Sequence, residues 1–286
     1  MLFTPGNDFM WSASNFGSTY TDAGLGVNSP GHANANTKGA NTNMLVGIAE
    51  DCYGIAIGFV GGFTAATIRR NLVDLLIDPA AGIGNAGSSW SVVINNLYCA
   101  YASLVMGGYW YYFPLYLKAG TAIGTANQSL TAGTSALRVC IRVFGKPSRP
   151  ELVKTGSKVQ TYGAVTGTTK GTAITPGTGA MGALTASLGT LSYDQWWWQC
   201  GHGYNDASTT DDAVLLDVLA GDGTNNLMCG ENFQFRITNG ENAGMTAWGT
   251  SMPQRFIKSG NDVYMRAADV IAPQTTPTVV AYGMGG

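Results

Sequence analysis

Cys200 and His202, set in Gln199-Cys200-Gly201-His202-Gly203, are the side chains best equipped for chemistry, as a thiol nucleophile beside its base. Their spacing argues against that role. Residues two apart on a strand stand about 6–7 Å apart and point the same way, which suits proton transfer poorly. The only other histidine is His32, so a zinc site of several imidazoles is excluded. Asp211-Asp212 and the stretch Ala220–Asn226 resemble loose calcium loops, but neither has the spaced acidic set of a known loop. Asp74 and Asp217 lie inside apolar runs and need partners, most simply backbone N–H groups. No Walker loop, G-x-S-x-G or H-E-x-x-H occurs. These residues predict no catalytic centre, no metal site and no cofactor. The expectation is a protein that is not an enzyme and does not depend on a small-molecule ligand.

An internal repeat places these residues. The phrase Tyr112–Ile123 (YFPLYLKAGTAI) returns in weaker form as Phe256–Val263 (FIKSGNDV), with Lys118 on Lys258, Gly120 on Gly260 and Ile123 on Val263. Gly120 is expected at a turn with positive φ. At an offset of 143, Leu45 falls on Leu188, Gly58 on Gly201, Asp74 on Asp217 and Leu76 on Leu219. The same frame puts Trp90–Asn96 on Phe233–Asn239. Two copies of one domain follow, 45–145 and 185–286. Cys200 and His202 then correspond to Ile57 and Phe59, which is the signature of a core-lining pair.

Leu137, Val139, Ile141 and Val143 alternate with Arg138, Cys140, Arg142 and Phe144, the period of a half-buried strand. Tyr53, Ile55, Ile57 and Phe59 likewise share one face, opposite Gly54, Ala56 and Gly58. Ile68–Ile77 reads either as a strand or as a single helix. Glycine, at 40 residues, is about twice its usual share, and the 11% of charged residues is under half of the usual ~25%. Short strands joined by turns account for both. The fold class is all-β: two tandem β-sandwich or jelly-roll-like domains, an extended N-terminal arm (1–44) and a Gly/Thr-rich linker (146–184).

Leu97–Leu117 is apolar enough to imitate a membrane span. Gly107-Gly108 and Pro114 interrupt it, and the equivalent stretch near 241–257 carries Glu241 and Arg255, so strand, loop and strand is the reading. A net charge of −2 gives no pull toward nucleic acid or an anionic membrane. No secretory signal is visible at the N-terminus. The five cysteines show no C-x-x-C and are odd in number, which favours buried free thiols over a disulfide framework.

Phe3, Phe9, Trp11, Phe16 and Tyr20 are spread through the arm without helical or strand period. They are the expected contact residues of a segment ordered against a partner. The linker carries Lys146, Arg149, Lys154, Lys158 and Lys170 against Glu151, and reads as a solvated connector or a second strap on an acidic surface. Within Trp196-Trp197-Trp198, the repeat assigns Trp196 and Trp198 to the buried face with Cys200. Trp197, in place of Gly54, points outward, as an anchor for a protein contact or a stacking platform for a sugar.

Tyr112–Ile123, following Asn36-Thr37-Lys38-Gly39 and Leu72–Ile77, resembles virion proteins of tailed bacteriophages, which carry a "fPL.ipaGt.i" element near a Thr-Lys-Gly segment. The resemblance covers most of the first domain. It is faint in the second, where Gln254 replaces Pro114 and the Thr-Lys-Gly is missing. It implies a β-rich structural component of a virion, foremost a capsid decoration or cement protein strapping neighbouring subunits. A tail, baseplate or fibre component is the nearest rival, and a carbohydrate-binding module using Trp197 is the rival from another class. The implied partners are other copies of the chain and virion proteins such as the major capsid protein.

Overall fold

Alternation of aliphatic and small or polar residues makes strands of the segments that carry it. Leu137, Val139, Ile141 and Val143 all enter one core. The computed structural model describes residues 11–15, 26–61, 69–101, 109–129, 136–145, 154–164, 171–204, 212–237, 255–269 and 277–286. Within them every regular element is a strand, so the protein is all-β. In chain order these are β1 (Trp11–Ser14), β2 (Val27–Pro30), β3 (Thr42–Leu45), β4 (Gly54–Gly61), β5 (Arg69–Asp78) and β6 (Ser91–Tyr101). They continue with β7 (Tyr109–Phe113), β8 (Ala122–Ser129), β9 (Ala136–Phe144), β10 (Lys158–Tyr162), β11 (Thr172–Ala173) and β12 (Gly177–Thr178). The last are β13 (Gln195–Tyr204), β14 (Asp212–Gly221), β15 (Asn226–Ile237), β16 (Asp262–Asp269) and β17 (Pro277–Gly285). Of the stretch that allowed a helix, Ile68–Ile77, the described residues from Arg69 on belong to β5, which pairs with β8 on one side and β6 on the other.

Two sandwiches stand in tandem. In the first, a sheet ordered β1-β9-β4-β7, with β2 also on β9, faces a sheet ordered β3-β8-β5-β6. Ile57, Ile141, Leu75, Ile94 and Ile123 belong to the core they share. In the second, β10, β11 and β13 pair with β17, and this sheet faces β12-β16-β14-β15. Trp198, Cys200, Leu216, Val218, Met265 and Val279 belong to its core.

Registers repeat between the two. Gly54 pairs with Phe144 as Trp197 pairs with Met284. Leu76 pairs with Gly124 as Leu219 pairs with Tyr264. The likeness extends upstream of residues 45 and 185. Gly39 N–H donates to the Asn127 carbonyl as Gly182 N–H donates to that of Ala267. β1 and β2 lie along β9 as β10 and β11 lie along β17. The described parts of the arm and linker are thus extended segments that pair with the chain's own sheets, satisfying an edge that would otherwise stay open.

One equivalence read from sequence is corrected. Fourteen positions separate Ile77 from its partner Ser91, whereas seven separate Ala220 from its partner Leu227. The second hairpin is seven residues shorter, so Trp90–Asn96 does not match Phe233–Asn239. Leu97 instead holds the place of Phe233, each paired one residue before the aspartate of β5 or β14.

Candidate functional site

Cys200 and His202 sit where a strand inside a sandwich puts them. Both are fully buried. Burial pushes the Cys200 thiol up to about 12 and the His202 imidazole down to about 3. Both groups are then held in their neutral forms near neutrality, the thiol protonated and the imidazole uncharged. Cys52, Cys99, Cys140 and Cys229 are buried free thiols as well. Burial raises each of them, Cys52 and Cys140 to about 11 and Cys229 to about 12.

Asp74 and Asp217 occupy equivalent irregularities in their hairpins, and each is committed to an ion pair. Asp74 Oδ1 accepts from Lys38 Nζ at 2.7 Å and from the Asn96 amide at 2.8 Å. Lys38 also donates to the Leu72 carbonyl and to Asn96 Oδ1, so three acceptors meet its three protons. Burial lowers the Lys38 pKa, and Asp74 opposes that shift. In the second sandwich the cation comes from another strand: Arg266 Nε donates to Asp217 Oδ2 at 2.9 Å. Backbone N–H groups are therefore only part of the answer expected from sequence. The cations were missed because they lie 36 and 49 residues from their aspartates.

The calcium-like stretch is a turn. Asp222 Oδ1 accepts from the amides of Thr224 and Asn225, an Asx-type bend that occupies the carboxylate. Asp211 lies outside the described residues. Among the described residues no three His, Cys, Asp or Glu side chains converge as metal ligands would.

The tryptophan triplet divides differently from the expectation. Trp198 enters the second core with Cys200, but a bulge between Gln195 and Trp197 turns Trp196 away from it. Trp196 joins the first sandwich's cluster instead, with Lys154 Nζ 4.4 Å above its ring. Trp197 does point out of its own sandwich, and the surface it meets is the other sandwich. Its ring packs edge-on to Tyr112, its Nε1 donates to the Tyr112 carbonyl at 3.0 Å, and it is 9% exposed. A ring so covered offers no stacking face to a sugar. Trp11 lies in β1; Phe3, Phe9, Phe16 and Tyr20 lie outside the described residues.

Trp197 belongs to a seam that no motif announced. Tyr282 of β17 donates to the Asn96 carbonyl at 2.9 Å and accepts from the Tyr98 amide at 2.7 Å. Tyr111 donates to the Tyr98 carbonyl at 2.6 Å, Thr161 to the Asn95 carbonyl, and Asn96 Nδ2 to the Ala164 carbonyl. The outer edge of β6 is therefore satisfied by side chains and loops, not by a further strand. Gly201 makes room: a Cβ there would lie 2.3 Å from the Tyr111 hydroxyl.

At one end of the molecule, the two Lys-x-Gly phrases form matched turns. Asp51 Oδ1 accepts from the Ala119 amide and Asp194 Oδ1 from that of Ser259, each at 2.8 Å. Gly120 and Gly260 have φ of 86° and 84°, as the turn requires. Tyr116 and Phe256 hold equivalent places just before these turns and are 43% and 51% exposed.

No protein-family model and no curated protein matches the chain. Among solved structures it is similar to PNGF-II, at 10% identity and a TM-score of 0.36, covering 97% of this chain and 66% of that one. The chain thus spans just under two thirds of that protein's length. It is also similar to the CBM22-1–CBM22-2 tandem domain of Paenibacillus barcinonensis Xyn10C, at 10% identity and a TM-score of 0.26, covering 99% and 94%. At these values neither likeness bears on function.

Proposed function

We propose that the protein is a non-enzymatic structural component of a tailed-phage particle, foremost a capsid decoration protein. The observation that carries this reading is the seam. Tyr282 and Trp197 of the second sandwich bond the backbone of Tyr98, Asn96 and Tyr112 in the first, and the Tyr282 ring meets that of Tyr111 edge-on, a use of side chains that favours a rigid block over a working cleft. The groups best suited to chemistry, Cys200, His202, Asp74 and Asp217, serve cores and ion pairs in that block. The sequence resemblance supplies the virion setting, with a tail or baseplate position as the rival within it.

Because β1 and β2 pair with the chain's own β9, removal of the arm would damage the fold itself and could not isolate a strap. The discriminating experiment is location. An antibody to the native chain, used on purified particles in electron microscopy, should decorate heads in a regular array. Labelling of tails would favour the rival, and particles lacking the chain altogether would end the virion reading.

A further inference from the structure

The two exposed turns repeat a device that none of the structural roles above uses. Tyr116 and Lys118, and again Phe256 and Lys258, are two apart in extended chain, so each pair sets an aromatic face and an ammonium on the same side. The Tyr116 ring is held in place. Tyr53 packs edge-on to it at 5.6 Å, and its hydroxyl donates to Asp51 at 3.0 Å. On the other turn, Lys154 Nζ stands 5.7 Å from the Phe256 ring. The segment carrying Lys154 also ties the turns together, since Gly156 N–H donates to the Pro114 carbonyl at 2.9 Å and the Tyr116 amide donates to that of Gly156. Both rings therefore belong to one end of the molecule.

Charges of both signs meet at this end. Lys118, Lys154, Arg255 and Lys258 are exposed, beside the exposed acids Glu50 and Asp194 and beside Asp51, whose carboxylate, like that of Asp194, accepts from a turn amide. We propose that the turns at Lys118 and Lys258 form a two-point site for an anionic polysaccharide, the rings stacking on sugar faces and the ammonium groups pairing with carboxylates. A polymer that repeats its own ring and charge suits a surface that repeats them too, and the second contact gains from the first by effective concentration. Half-exposed rings, the Tyr116 ring held by Tyr53 and Asp51, favour sugar faces over an acidic peptide. The proposal is independent of the virion reading.

The test uses the full chain and three acidic probes: oligogalacturonate, alginate oligomers and hyaluronan oligomers. Methyl-esterified galacturonan serves as the neutral control and poly-L-glutamate as the peptide control. At least one acidic glycan should bind saturably, and about tenfold more tightly than the neutral control. Tyr116→Ala and Phe256→Ala should each weaken it about tenfold, with unchanged circular dichroism, and the double variant should abolish it. Failure of all three glycans to bind, or binding that both alanine variants leave intact, would overturn the site. So would equal binding of poly-L-glutamate, which would assign the surface to acidic proteins.

Discussion

The Tyr282 hydroxyl lies 2.7 Å from the Tyr98 amide nitrogen, across a boundary that separates residues 184 positions apart. Its proton goes on to the Asn96 carbonyl at 2.9 Å, so one phenol closes two backbone groups on the outer edge of β6. Burial raises the Tyr282 pKa, which keeps the phenol protonated and able to donate. Around it, Tyr111 and Phe113 meet the Tyr282 ring edge-on at 5.4 and 6.2 Å. The arrangement explains why the second sandwich is needed by the first: without it, the β6 edge would carry unpaired groups next to apolar rings.

Tyr282→Phe keeps the ring and strands the Tyr98 amide and Asn96 carbonyl. The expected loss is about 1–3 kcal/mol in denaturant unfolding. A loss near zero would mean that water or a shifted neighbour replaces the hydroxyl.

Gly201→Ala tests the close approach at the seam. Its Cβ would lie 2.3 Å from the Tyr111 hydroxyl and 3.0 Å from Tyr98 Cβ, for an expected cost of about 1–3 kcal/mol. In a Tyr111→Phe background the cost should shrink, because the nearest atom is gone, and a double-mutant cycle reads this directly. Gly260→Ala is the control: nothing stands within 4 Å, and its cost of about 1–2 kcal/mol comes from φ alone.

Periodicity made most of the fold legible. The alternation at Ile55–Phe59 and Leu137–Val143 reports the same face that the core buries, and the Lys118/Lys258 phrase marks matched turns. What stayed hidden depends on distance or on inserted residues. The bulge before Trp197 turns Trp196 out of its expected face, and the seven-residue difference between hairpins shifts the frame of β15. β2 (VNSP) and β11 (TA) have no pattern of their own and become strands because β9 and β17 offer them an edge. Trp197 was legible as outward, but sequence alone does not say that the surface opposite is the same chain.

Acid should weaken the protein through His202. Its folded pKa is near 3 against about 6.5 when unfolded, so between these values the unfolded chain holds the extra proton. Stability is then flat above pH 6.5 and falls as pH drops toward 3, by at most ~1.4 kcal/mol per pH unit from this group. Asp51, Asp78 and Asp222, whose turn amides lower their pKa values, add to the fall below about pH 4. His202→Gln should flatten the slope between pH 6 and 4.5; an unchanged slope would assign it elsewhere.

Thiol labelling should track unfolding. All five cysteines are buried with raised pKa values, so a disulfide reagent at pH 8 should modify the native protein far more slowly than the denatured chain. Rapid stoichiometric labelling of Cys200 in the native state would contradict the core described here.

The central claim is that the seam makes one cooperative body of two sandwiches, and scanning calorimetry tests it most directly. The whole chain should melt in one transition with a calorimetric to van't Hoff enthalpy ratio of about one, and Tyr282→Ala should split it. A ratio of about two in the unaltered protein would mean two independent units and would contradict the account.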